Sequence, residues 1–403
     1  MAYEGAGTIR RLALAGFVST IGSEMAFIAL AFVIYERTGS GLWLATVFLL
    51  TFGIPGLLVP VAGVLADRFD RKRVMIASDL ASAVAFTALA FTDDRAVMLG
   101  IAFVGSVLEM PFGTSLSAAL PNLVHSDDLA RANSTMSLGR KLASVIGPLL
   151  GGALVSSLGA PTVFVLNAAS FVVSSGLVLS VRARFSEGSD HDDSSEFEGA
   201  AAGIRFVRDR PRLFALLIAW TLMFFAVDIV LIAQLPLAEA AGAGAGGFGL
   251  ILAAWGVGQV VGALVGRVVA RRSEGRALTL EMSMATVSLG VVAAVPRLGV
   301  AVAAEGVTAF FDQVGTIAGN SMIQRETPDA VRGRVFAAYF TSGLIANSIA
   351  FIAGGFILEA MGVRGVFALA AAASLVATVV IVRALRSDRR RAAPSSLSRT
   401  SSR

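Results

Sequence analysis

Twelve long apolar stretches, separated by short polar turns and one longer polar insertion, constrain this chain more than any other feature. An α-helix of about 20 apolar residues crosses roughly 30 Å of hydrocarbon with every backbone N–H and C=O satisfied inside the segment. The stretches centre near Ser23, Ile54, Ala83, Leu108, Gly147, Val172, Phe224, Gly258, Val287, Phe311, Ala350 and Ser374. Only 15% of residues are charged and 56% are hydrophobic, whereas soluble domains carry about 25% charged residues. A water-soluble fold is therefore excluded. The first stretch, 12–35, is too long for the apolar part of a signal peptide and is expected to remain as a span.

Charge fixes the expected orientation. Arg37, Arg95, Arg297 and Arg364 fall on one side and Arg140 and Lys141 lie within the fifth stretch, which leaves the other twenty-seven of the 33 basic residues on the opposite side. By the positive-inside bias that side is cytoplasmic, together with both termini, in a multi-pass protein of the cell (inner) membrane. The formal net charge of +5 resides in these loops, so no nucleic-acid partner is expected. With no cysteine, and with His125 and His191 as the only histidines, no metal site or cofactor is expected either. The chain also lacks the Gly-x-Ser-x-Gly elbow, the His-Glu-x-x-His helix and the phosphate-binding Gly-x-x-x-x-Gly-Lys-Ser/Thr loop. A membrane-embedded enzyme is thus the weakest reading, and ATP-driven pumping is disfavoured.

The long insertion divides the stretches six and six. Residues 1–181 are expected to form one six-helix bundle and 213–386 a second, giving an all-α membrane protein of two pseudo-symmetric halves. Between them, 182–212 reads as a cytoplasmic linker whose acidic tract (Glu187, Asp190, Asp192, Asp193, Glu196, Glu198) is disordered. Its second part, 203–212, reads as an amphipathic surface helix with Ile204, Phe206 and Val207 turned inward. The basic tail 387–403 is expected to be disordered. An internal repeat supports the division: at an offset of 203, Gly63 falls on Gly266, Gly151 and Gly152 on Gly354 and Gly355, and Glu109 on Asp312, while Glu24 falls on Asp228 at 204. Homologous halves about an axis along the membrane normal would enclose a site at midplane.

Residues 63–73, Gly-Val-Leu-Ala-Asp-Arg-Phe-Asp-Arg-Lys-Arg, form a charged knot between the second and third stretches. They resemble the loop signature of the major facilitator superfamily, Gly-x-Leu-Ala-Asp-Arg-x-Gly-Arg-Lys/Arg, with Asp70 at the second glycine. In the fifth stretch, Gly147-Pro148-Leu-Leu-Gly151-Gly152 resembles the Gly-Pro-x-x-Gly-Gly motif of proton-driven exporters, with Ala143 replacing its leading glycine. Tight packing of apolar helices is the alternative reading of that motif. With the patterns at 127–133 and 203–207, the chain looks most like the drug:proton antiporter branch that contains macrolide-efflux proteins and the enterobactin exporter. The resemblance implies a monomer that works by alternating access. It implies, too, a conformational latch made by Gly63, Asp67, Arg68, Arg71, Lys72 and Arg73, which Asp79 is placed to support. The second half keeps arginines at 266–276 but has Ala270 in place of the aspartate.

A charged side chain at a helix centre costs about 2.5–3.5 kcal/mol on insertion scales, so each one needs a reason. Glu24, Glu109, Asp228 and Asp312 are the deepest, and are the candidates for carrying a coupling proton, with Asp312 first. A fixed ion pair or a hydrogen-bonded structural acid is the alternative for each. Asp312 shares a polar stripe with Glu305, Thr308, Thr316 and Gly319. Glu305, Phe27, Phe112, Trp220, Phe224, Tyr339 and Arg140 are candidate lining of a substrate cavity, although aromatic residues on membrane helices more often pack against neighbours. Arg140 and Lys141 are expected to snorkel towards the basic surface, the alternative being that they point into the cavity as partners for an acid or an anionic substrate. The leading functional expectation is a proton-coupled exporter of amphipathic small molecules: a drug, an antibiotic or a siderophore. A facilitator or importer of a metabolite is the alternative.

Overall fold

The computed structural model describes residues 4–125, 128–183, 185 and 196–392. The acidic stretch 187–195 and the tail beyond 392 lie outside the described residues. The chain runs through α1 (Glu4–Thr38), α2 (Gly41–Phe48), a π-helical turn (Leu49–Gly53), α3 (Ile54–Arg68), α4 (Arg71–Ala90), α5 (Arg95–Leu123), α6 (Leu129–Leu158) and α7 (Ala160–Leu179). It continues through α8 (Glu196–Arg208), α9 (Pro211–Ala240), α10 (Gly244–Arg272), α11 (Glu274–Ala294), α12 (Leu298–Glu326) and α13 (Asp329–Ala392). Short polar residues open the helices by accepting otherwise orphaned N–H groups: Ser40 from Leu42, Asp70 from Arg73, Asp94 from Ala96 and Val97, and Ser273 from Arg276. Gly362 breaks α13 into two antiparallel arms, because its φ of 66° is open to glycine at no steric cost.

Ten helices among the described residues are long and apolar enough to cross a membrane. That number counts both arms of α13 as one run. It also omits α12, whose Glu305, Asp312 and neighbouring polar residues dilute its apolar character. With α2, the π turn and α3 forming a single crossing, the described helices are consistent with twelve crossings, the architecture that the superfamily resemblance implies. All twelve expected centres lie within helices.

Of four apolar cores among the described residues, one lies within the first half, two lie within the second and the fourth is shared. The shared core crosses the seam, where Phe27, Leu44, Val47 and Phe48 of the first half are buried with Leu235, Ala245, Phe248 and Phe351 of the second. Close backbone approach makes this possible. A Cβ at Gly152 would stand 2.6 Å from the Ala245 carbonyl oxygen, and one at Gly355 2.7 Å from Ala45 Cβ. Ser40 donates to Glu359 at 2.5 Å across the same end. Following the seam away from it, Phe48 meets Phe351 and Gly56 meets Leu344. Two turns further along α3, Gly63 has no neighbour among the described residues within 4 Å of a Cβ position, and Phe340, one turn from Leu344, is 59% exposed. The halves are closed at the end carrying the short turns and parted at the end carrying the basic loops.

The helix expected at 203–212 forms earlier, as α8, which takes in Glu196 and Glu198 of the acidic tract, and one of its faces packs on α13. A Cβ at Gly203 would sit 1.9 Å from the Arg334 carbonyl oxygen, and Val207 is fully buried, whereas Ile204 is exposed. Ile204 therefore does not turn inward with Val207.

Candidate functional site

In the first half the polar interior is built by α1, the π turn and α5. Pro55 removes a helical N–H just past the π turn, whose widened path brings Thr51 and Phe52 to the lining of a cavity of about 380 Å³. Glu24, Phe27, Ser106 and Glu109 line it as well. Glu109 accepts a hydrogen bond from Ser23 at 3.0 Å. Thr20, Ser23, Glu109 and Gly113 also border a second cavity of about 230 Å³, which adds Asp79, Phe112 and Arg140.

In the second half α12 carries the polar interior. Asp312 Oδ2 accepts from Gln259 Nε2 of α10 at 2.7 Å, and Lys141 of α6 donates to Gln313 Oε1 at 2.7 Å and to Gln259 Oε1 at 3.3 Å. Asp228 of α9 sits against Asn347 of α13, and Glu281 of α11, 2% exposed, lies against the Trp220 indole. The acids of the two halves correspond. Glu24, Asp79 and Glu109 on α1, α4 and α5 match Asp228, Glu281 and Asp312 on α9, α11 and α12, at offsets of 204, 202 and 203.

The Gly-Pro-x-x-Gly-Gly segment sits on the seam. A Cβ at Gly147 would fall 2.5 Å from Glu24 Cβ, and one at Gly151 would fall 2.8 Å from Met25 Cα, so α6 packs directly on α1. Gly249 and Gly256 of α10 meet the Pro148 and Ser144 carbonyl oxygens on another side of α6. The tight packing that was the alternative reading of the motif is thus observed, and it is what joins the halves here.

Several expected positions are corrected. Lys141 does not snorkel: it crosses the seam to two glutamines. Arg140, exposed, borders the smaller cavity beside Asp79 and Glu109. Glu305 does not face a cavity with Asp312, because it is 4% exposed and accepts from Gln234 at 2.8 Å inside the second half. Tyr339 is 4% exposed, donates to the Leu213 carbonyl at 2.5 Å and stands edge-on to Trp220. Both aromatics hold α9 to α13 and take no part in a cavity described here. Phe224 rests on Gly343, while Phe112 and Phe27 keep their cavity-lining positions. Asp79, 2% exposed, lies against Ser174 of α7 and borders the smaller cavity, rather than supporting the 63–73 loop.

In that loop Asp67 pairs with Arg71 of its own half at 3.6 Å and stays half exposed. Arg71 donates to the Ala118 carbonyl oxygen, and Lys72 to those of Leu179 and Val181. The loop is therefore anchored within the first half while the basic end is open. Glu281 is the acid that a search for central charges passes over, since it lies only two turns from the start of α11. Its repeat partner Asp79 is the signal that finds it. Gln259 and Gln313 carry no charge and give no such signal.

The family model described as transmembrane secretion effector matches residues 5–399. The MFS-type transporter YfiS of Bacillus subtilis is 24% identical over 336 residues, 80% of each chain. The enterobactin exporter EntS of Escherichia coli is 25% identical over 346 residues, 84% of this chain and 82% of that one. Among solved structures, the nucleoside transporter NupG superposes with a TM-score of 0.77 at 13% identity, covering 94% of this chain and 99% of that one. A bacterial homologue of the iron transporter ferroportin superposes with a TM-score of 0.74 at 17% identity, covering 94% and 98%.

Proposed function

Because the chain belongs to the transmembrane secretion effector family of major facilitator transporters, we propose that it is a proton-coupled exporter of amphipathic small molecules, a drug, antibiotic or siderophore, from the cytoplasm. The observation that carries this reading is the matched set of acids in the two halves, with Asp312 connected through Gln259 to the seam. Carboxyls buried between opposed half-bundles can gain and lose protons as each side opens in turn, provided that the two conformations differ in their affinity for the proton. The positive-inside bias makes the basic end cytoplasmic, so the conformation seen here opens inward. Substrate enters there and meets apolar walls at Phe27 and Phe52 beside the Glu24 and Glu109 carboxyls. When the basic end closes, the 63–73 loop comes within reach of the second half and Asp67 latches it.

Reconstituted vesicles with an imposed pH gradient, loaded in turn with lipophilic cations, macrolides and catecholate siderophores, test the reading. Expected is uphill movement of at least one class, collapsing when a protonophore dissipates the gradient. Asp312→Asn, which holds the site in its uncharged form, should fold and bind but lose gradient-driven movement. Transport indifferent to the gradient would favour the facilitator instead. Unchanged gradient-driven transport in Asp312→Asn would move the proton site to Asp228.

A further inference from the structure

Lys141 is a cation in the membrane interior whose hydrogen-bond partners lie in the other half. Its ammonium is held by the side-chain oxygens of Gln313 and Gln259, two neutral groups, and Gln259 passes its amide nitrogen on to Asp312. The orientation of Gln259 is dictated by chemistry. An ammonium can only donate and an ionised carboxylate can only accept, so the amide must turn its oxygen to Lys141 and its nitrogen to Asp312. Glycines bring the three helices close enough for one lysine to reach across α10. Cβ atoms at Gly256, Gly258 and Gly262 would approach Ser144 of α6 and Gly306 and Phe310 of α12 within 2.8 Å. The charged groups around this relay are Arg140 on the same helix, Asp312 on α12, and behind it Asp228 on α9 and Glu281 on α11, with Glu24 of α1 packed against Gly147 further along α6.

We propose that Lys141 is the positioning residue that transmits the protonation state of Asp312 across the seam, through Gln259, to the first half. With Asp312 ionised, its charge polarises Gln259 and balances the ammonium, and the relay clasps α6 to α10 and α12 in the present conformation. When Asp312 takes up a proton, the ammonium loses its counter-charge in a medium of low dielectric. The seam arrangement that half-buries it then becomes costly, and the balance moves towards the conformation open at the opposite end. In a proton-coupled carrier such a clasp also keeps the empty, deprotonated protein from crossing without cargo. The inference deepens the exporter reading, but its test needs neither substrate nor gradient.

The chain has no cysteine of its own, so spin labels at Ser157→Cys and Ala241→Cys, both exposed at the closed end, report its opening without a background signal. In the double-labelled protein the parted population is expected to rise by at least ~5-fold between about pH 8 and about pH 5, and to stay high at both pH values in Asp312→Asn. Lys141→Gln should abolish the pH dependence and Lys141→Arg should keep it. Gln259→Leu, which breaks the relay without removing a charge, should abolish it as well. A parallel shift in Lys141→Gln, with the pH dependence intact, would reduce the lysine to a structural contact and overturn the proposal. Transport failing in every vesicle assay while these distances still respond to pH would instead sink the exporter reading alone.

Discussion

The closest backbone contact between the halves makes the sharpest prediction. Gly249 of α10 faces the Pro148 carbonyl oxygen of α6, and a Cβ placed there would lie 2.2 Å from it. An ordinary contact needs about 3.5 Å, so Gly249→Ala must drive the two helices apart by more than about 1 Å. The obstacle is a main-chain oxygen inside a helix and cannot rotate aside. Overpacking of this kind costs about 1–3 kcal/mol, and here it falls only on the conformation in which the seam is closed at this end. The population parted at this end should therefore rise by about 5–150-fold, broadening and lengthening the distance distribution between labels at Ser157→Cys and Ala241→Cys. Gly290→Ala, where the nearest atom to the new Cβ is 4.0 Å away, should leave the distances unchanged. If Gly249→Ala also leaves them unchanged while the protein stays folded, the seam at α6 and α10 does not define the conformation and the packing argument fails.

Tyr339→Phe removes the hydroxyl that binds the Leu213 carbonyl in a buried site. It should lower the melting temperature in keeping with a loss of about 1 kcal/mol while sparing initial transport rates; lost transport at full stability would return Tyr339 to the substrate path. Glu359→Gln weakens the acceptor for Ser40 Oγ and the Leu42 N–H at the closed end, and should raise the parted population by less than Gly249→Ala does, measured with the same labels. For topology, a cysteine at Arg297→Cys should react with an impermeant reagent from outside the cell and one at Asp209→Cys only after permeabilisation. The reverse pattern would invert the orientation argued from the basic residues.

The crossings, their number and the division into halves were written in the sequence, because hydrocarbon demands continuous apolar helices and the charges between them are excluded from it. The repeat was legible too, although its Asp79–Glu281 pair, at an offset of 202, emerged only once the structure showed both acids buried. What the linear pattern left open was which neighbour each helix face would meet. Gly147, Pro148, Gly151 and Gly152 announced a close contact, but only the packing decided that α1 takes one side and α10 another. Glu305 and Asp312, seven residues apart, fall on one stripe of α12, yet Gln234 claims the first and Gln259 the second. Lys141 shows the physical reason most plainly. Its side chain, about 6 Å long, can reach the basic surface or cross a helix equally well. The choice between them was settled by how near glycine-lined α10 brings Gln259 and Gln313, a distance set by the tertiary arrangement alone.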